Sequence, residues 1–173
     1  MTLGIVSDTH GFYDPELDVV FKDADLILHA GDVGTGEIVE RLGRLAPVVC
    51  VYGNIDGPPV RGRFNEHARI AAGGMRVWMT HIGGHPGHPG GRARWDARVR
   101  ESLLADPPDL FVCGHSHILR IERVKSLGGM LYVNPGAAGR HGFQQVRTCV
   151  RLTVDGGRAT AADVIHLGEG AVG

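Results

Sequence analysis

Eight side chains suited to hard or borderline metal ions recur beside glycines and just past apolar runs. They are Asp8 and His10, Asp32, Asn54 and Asp56, His81, and His115 with His117. No cysteine stands among them, so the set offers nitrogen and oxygen only. Such a set suits manganese, iron, zinc, nickel or cobalt; magnesium is less natural with so many imidazoles. Asp56 reads as a residue that orients a ligand or its loop rather than a ligand itself. The other seven are too many for one tetrahedral site and match two ions sharing a carboxylate. Two ions about 3.5–4 Å apart are the usual device for in-line displacement at phosphorus. A single Asp-x-His or His-x-His pair is ordinarily a loop feature. The weight here lies in the repeated placement of all seven.

The elements that must position them follow from the apolar pattern. Leu3 to Val6, Asp25 to Ala30 and Pro47 to Tyr52 read as buried strands. Between them, Asp14-Pro15-Glu16 starts a helix, with Asp14 as N-cap, that runs to Phe21 or Lys22, and residues 36–45 carry helical spacing. Strand and helix in alternation imply a parallel sheet with right-handed crossovers. Residues 67–72 and 75–80 flank Gly73-Gly74 as a hairpin. The Gly/Pro-dense stretch 82–91 is expected to be a shaped loop, followed by a helix over 92–105. Leu110 to Cys113 is a strand, and hairpins turn at Gly128-Gly129 (119–125 with 130–133) and at Asp155-Gly156-Gly157 (146–154 with 158–166). The last residues are expected to fray. The arrangement predicts an α/β (α+β) domain spanning 1–173, with two sheets face to face and helices outside. Each candidate ligand then lies beyond the C-terminal end of a strand, where open α/β sheets bind ligands.

Composition narrows the classes. At 173 residues and a formal net charge of −1, there is no basic field to attract nucleic acid. No apolar run is long enough to span a bilayer, and the first residues lack a signal-peptide pattern. Cys50, Cys113 and Cys149 are odd in number and sit beside Val or Phe, which points to buried free thiols and a cytoplasmic location.

The ordered motifs Asp8-Thr9-His10, Gly31-Asp32, Gly53-Asn54-Ile55-Asp56, Thr80-His81, Gly114-His115-Ser116-His117 and Asn134-Pro135-Gly136-Ala137 resemble the calcineurin-like metallophosphoesterase superfamily. Within it, the chain is similar to the small bacterial and archaeal phosphodiesterases of the YfcE type, from about residue 2 to 165. The resemblance implies a four-layer αββα sandwich of two mixed sheets. It implies that Asp8, His10, Asp32 and His117 hold one divalent ion and that Asp32, Asn54, His81 and His115 hold the other. Asp32 then bridges, and Asp32, Asn54 and His81 are the residues cast in catalysis. By the same resemblance, manganese is the first expectation, Asn54 steadies a small phosphate-ester substrate, and a hydroxide between the ions attacks phosphorus.

Many members carry His after the Asn, where it protonates the leaving oxygen. Here Ile55 occupies that place and has no proton to give, which predicts a preference for good leaving groups. His85 and His88 are candidate substitutes, with a solvated loop as the competing reading. Arg92, Arg94, Arg140 and His141 are candidate phosphate contacts, and His29 is expected to be structural. Two other readings compete with a phosphodiesterase. One is a protein-binding scaffold like the retromer subunit of this fold; the other is a phosphomonoesterase, protein phosphatase or dinucleotide phosphatase. Pairing of chains through an edge or helix face stays open.

Overall fold

The computed structural model describes residues 1–87 and 91–169. Strands β1 (Thr2–Val6), β2 (Leu26–His29) and β3 (Val48–Cys50) are parallel neighbours, with α1 (Glu16–Val20) and α2 (Gly36–Leu42) on their connections. After the short α3 (Pro58–Arg61), strands β4 (His67–Ala72) and β5 (Met75–Thr80) form the first hairpin. A two-stranded ribbon of β6 (Gly84–His85) and β7 (Arg94–Trp95) precedes α4 (Ala97–Ala105) and β8 (Leu110–Val112). Strands β9 (Arg120–Val124) and β10 (Met130–Asn134), then β11 (Val146–Asp155) and β12 (Arg158–Glu169), complete the chain.

These strands make two five-stranded mixed sheets, ordered β12-β11-β1-β2-β3 and β4-β5-β8-β10-β9. Each has three parallel strands in it: β1, β2 and β3 in one, β5, β8 and β10 in the other. Strand periodicity sorts the side chains into three apolar layers. Leu3, Ile5 and Leu28 face Val77, Met79, Leu110 and Val112 between the sheets. On the outer face of the first sheet, Val6 and Ile27 meet Leu17 and Phe21 of the α1 region and Ile38 and Leu42 of α2. Beyond the second sheet, Trp78, Phe111 and Tyr132 meet Val99 and Leu103 of α4. The result is helix, sheet, sheet, helix, the layering the sequence predicts. Gly4 makes one contact feasible, since a side chain there would strike the Phe21 ring. Cys50, Cys113 and Cys149 are buried free thiols.

Several boundaries differ from the expected ones. The first helix spans only Glu16–Val20; Pro15 is its N-cap residue, and Asp14 Oδ1 accepts from Glu16 N at 2.9 Å. The helix expected over 92–105 starts at Ala97, because Asp96 caps it by accepting from Arg98 N at 3.0 Å. The preceding Arg94–Trp95 is extended and pairs with Gly84–His85, so the 82–91 stretch is not all loop. Trp95 explains the extension: its ring lies 6.1 Å from Phe111 and 6.0 Å from Tyr132, which anchors the ribbon over the outer apolar layer. The fraying expected at the end of the chain falls largely at 170–173, outside the described residues. No helix among the described residues is long and apolar enough to cross a membrane.

Candidate metal centre

The loops that leave β1, β2, β3, β5 and β8 converge, and they bring all seven candidate ligands together. Nε2 of His117 lies 3.2 Å from Asp8 Oδ1 and 3.3 Å from Nε2 of His10. Nε2 of His81 lies 3.2 Å from Asp32 Oδ1, 3.9 Å from Asp8 Oδ1 and 3.1 Å from Asn54 Oδ1. The His115 ring stands 5.3 Å from the His81 ring. Two groups are tight enough to share an ion, Asp8 with His10 and His117, and Asp8 with Asp32 and His81, the ligand atoms of each lying within 4.8 Å of one another. Asp32 also faces both halves, with Oδ2 3.9 Å from His10 and Oδ1 turned to His81.

The backbone sets these residues apart. Among the described residues, only five non-glycine positions have positive φ: Asp8, His10, Asp32, His115 and His117. A left-handed conformation costs a side-chain-bearing residue roughly 1–3 kcal/mol and clusters at functional sites. It turns each loop sharply enough to aim the side chain back over the strand end. Glycines make room: a Cβ on Gly53 would overlap Asp32 Oδ1, and one on Gly114 would overlap Ser7 Oγ.

Proton bookkeeping shows what the cluster wants. Ala30 O can only accept, so its 2.8 Å bond to His81 Nδ1 places the proton there. Gln144 donates Nε2 to Gly139 O and His141 O, so its Oε1 accepts from His117 Nδ1 at 2.8 Å. Wherever either ring is neutral, its Nε2 presents a lone pair to carboxylate or amide oxygens. Asp8 Oδ1 is buried and accepts no hydrogen bond, although His117 is close. Lone pairs converging on one another in a buried place require positive charge between them. The same demand appears in the titration of the rings. The Asp8 carboxylate outweighs burial and raises His117 above its ordinary pKa. Burial opposes protonation of His81, yet Asp32 and Asp8 raise it. Burial favours protonation of Asp32, but His81 holds its pKa low. For His10 and His115, burial dominates and the shift is downward. The donor set fits divalent cations.

A surrounding shell holds the ligands in place. Asp56 Oδ2 accepts from Gly53 N at 2.7 Å and Val33 N at 3.2 Å, while Oδ1 accepts from Gly34 N at 2.8 Å. One carboxylate thus ties the Asp32 loop to the Asn54 loop, and it does not join the ligand cluster. Arg61 donates to the carbonyls of Asp56, Gly53 and Asn54. His29 is fully buried, bonded to Thr9 Oγ1 and to Gly31 N, and burial pushes its pKa down to about 4. It is structural. Sequence reasoning missed Arg61 and Gln144, whose contacts have no local signature.

The remaining candidates divide. The His141 ring lies 5.6 Å from His10, at the rim, whereas Arg140 stacks over Phe12 at 4.1 Å. Arg92 is exposed. His85 and Arg94 line a cavity that also borders His115. His88 lies outside the described residues.

The sequence profile of the calcineurin-like phosphoesterase superfamily domain matches residues 1–157, and the chain belongs to that superfamily. A probable metallophosphoesterase of Methanothermobacter thermautotrophicus is 32% identical over 145 residues, covering 79% of this chain and 77% of that one. Among solved structures, a novel archaeal phosphodiesterase superposes with a TM-score of 0.70 at 19% identity, over 96% of this chain and 99% of its own. The wild-type Vps29 of Entamoeba histolytica, complexed with zinc, gives 0.67 at 20% identity with the same coverage. These two share the fold.

Proposed function

We propose that this chain is a phosphodiesterase that works with two divalent ions, manganese first among them. Asp8, His10, Asp32 and His117 would hold one ion, and Asp32, Asn54, His81 and His115 the other. The observation that carries this reading is the coincidence of strain and chemistry. The five left-handed side-chain-bearing residues are all candidate ligands. Bound there, the ions would supply Lewis acidity toward a phosphoryl oxygen and offset the charge that grows on it. The archaeal phosphodiesterase and the zinc-bound Vps29 of the same fold support a diester substrate and a divalent cation, respectively. Three buried free thiols support a cytoplasmic setting.

The chain's own groups supply orientation. Asn54 turns Oδ1 to His81, and its carbonyl is held by Arg61, which leaves the side-chain N–H groups to donate to a phosphate oxygen. Ile55 follows at 48% exposure with no proton to give, so esters with acidic leaving alcohols are the better substrates.

The first experiment compares an aryl phosphodiester with its monoester after chelation and again with manganese restored. Manganese-dependent cleavage that favours the diester is the expected result. Absence of hydrolysis with two ions bound sinks the reading. It would favour a partner-binding scaffold instead, for which one observation speaks. Ile55, Ile118 and Phe143 are exposed apolar side chains that flank Asn54, His117 and Gly142, the last a glycine whose Cβ would strike the His117 ring.

A further inference from the structure

We infer that the cavity between His115 and the β6–β7 ribbon is a subsite for a flat aromatic ester arm, an aryl group or a nucleobase. In taking its occupant as an ester arm, this rests on the phosphodiesterase reading. The cavity measures about 620 Å³, within the usual range for small-molecule sites. Ile82, Gly83, Ile118 and Tyr132 give it apolar walls, and His115 joins it to the candidate metal centre.

Its position matters as much as its size. Ile82, directly after His81, also lines a second cavity of about 320 Å³ that contains Asn54, Arg61 and Arg98. Two spaces therefore adjoin the candidate metal centre, one bordered by His115 and the other by His81 and Asn54, and they share Ile82. A diester has two arms to place, whereas a monoester has one.

The two spaces differ in chemistry. In the larger one, the charged groups are already satisfied. Arg120 is paired with Glu122 and donates to Gly87 O, Asp96 is paired with Arg98, and Tyr132 Oη donates to Gly84 O at 2.8 Å. An apolar arm can enter without stripping water from an unpaired charge. Arg94 is the exception: it lines the cavity, and its guanidinium makes no hydrogen bond or ion pair with the described residues. A guanidinium free at the edge of an apolar slot can lie over the face of an aromatic ring. Ile118, 67% exposed here, gains a reason to be apolar, since a ring laid on it would remove it from water.

The test uses magnesium-loaded full-length protein with isoleucine methyl groups labelled for NMR, and three probes: methylphosphonate, phenylphosphonate and thymidine 5′-phosphate. Phenylphosphonate or the nucleotide should bind about tenfold more tightly than methylphosphonate. Ring currents should move the Ile82 and Ile118 methyl signals but not those of Ile70 or Ile165. A gain with phenylphosphonate alone identifies an aryl arm; a larger gain with the nucleotide identifies a nucleobase. Ile118→Asp, at an exposed position that folding tolerates, should bring the aromatic probe down to the affinity of methylphosphonate. Equal affinities for all three probes, or unmoved Ile82 and Ile118 signals, overturn the inference. Diester hydrolysis is measured on the same preparation reloaded with manganese, so the two ideas fail separately. Aromatic binding without hydrolysis refutes the phosphodiesterase and leaves the aromatic subsite standing, whereas hydrolysis without aromatic preference refutes the subsite.

Discussion

The two ends of this sandwich turn their chains by different means. At one end, three hairpins reverse at Gly73-Gly74, Gly128-Gly129 and Gly156-Gly157, and all six glycines have positive φ. There, left-handed backbone is nearly free, because no Cβ clashes. At the opposite end, the same backbone region is forced on Asp8, His10, Asp32, His115 and His117. Glycine was available to that end too, as Gly11, Gly31 and Gly34 show. The strained positions are therefore occupied by side chains that a plain turn does not need. The difference marks one end as built for stability and the other as built to aim groups at a common point.

The strongest way to break this contrast is Asp32→Ala. It removes the carboxylate that faces both halves of the cluster, so metal should be lost and diester hydrolysis should fall roughly 10³-fold or more. Metal content by mass spectrometry and kcat/KM on an aryl diester check it, and retained activity would refute the shared-carboxylate assignment. Asp56→Ala comes next. It leaves three backbone N–H groups without an acceptor and frees the Asp32 and Asn54 loops from each other. Chemical denaturation should show a loss on the order of 3 kcal/mol, and metal affinity should drop roughly 10–100-fold.

His29 sharpens the comparison through pH. Its folded pKa of about 4 lies below the ordinary value of 6.5, so the unfolded chain binds the extra proton between these limits. Its contribution is complete above pH 6.5 and is lost as pH falls toward 4, a difference of roughly 3 kcal/mol. Urea midpoints from pH 4 to 7 should therefore rise more steeply in the wild type than in His29→Asn. A parallel slope in both proteins would remove His29 from the account. The smallest effect probes the strain itself. In chelator, His115→Gly should be more stable than His115→Ala by about 1 kcal/mol, and Gly156→Ala should be destabilised by a similar amount. Thermal melts decide both.

Much of the end that carries the candidate ligands was legible in the sequence because a residue type and a place coincide there. Asp8, Asp32, His81 and His115 follow apolar runs that are buried strands in the fold, and the layering follows from the same runs. What escaped has a physical reason. Gly84–His85 and Arg94–Trp95 are two-residue strands, too short to carry a period, and their pairing depends on Trp95 reaching a distant aromatic layer. Asp96 is a helix cap that the sequence does carry, and the extended Arg94–Trp95 before it sets the start of α4 there rather than at residue 92. Gln144 reaches His117 across 27 positions, and no local rule signals such a contact.

Cys113 stands two residues before His115, yet its sulfur faces the other way, 3.1 Å from Tyr132 Oη. Burial raises that thiol's pKa to about 12, so it remains protonated at any physiological pH. A thiolate at this spot would invite copper(I) and other soft ions to capture the cluster. Turned inward and kept neutral, the sulfur withdraws from that competition. A donor set of nitrogen and oxygen alone thus depends on the side chain that turns away as well as on those that turn in.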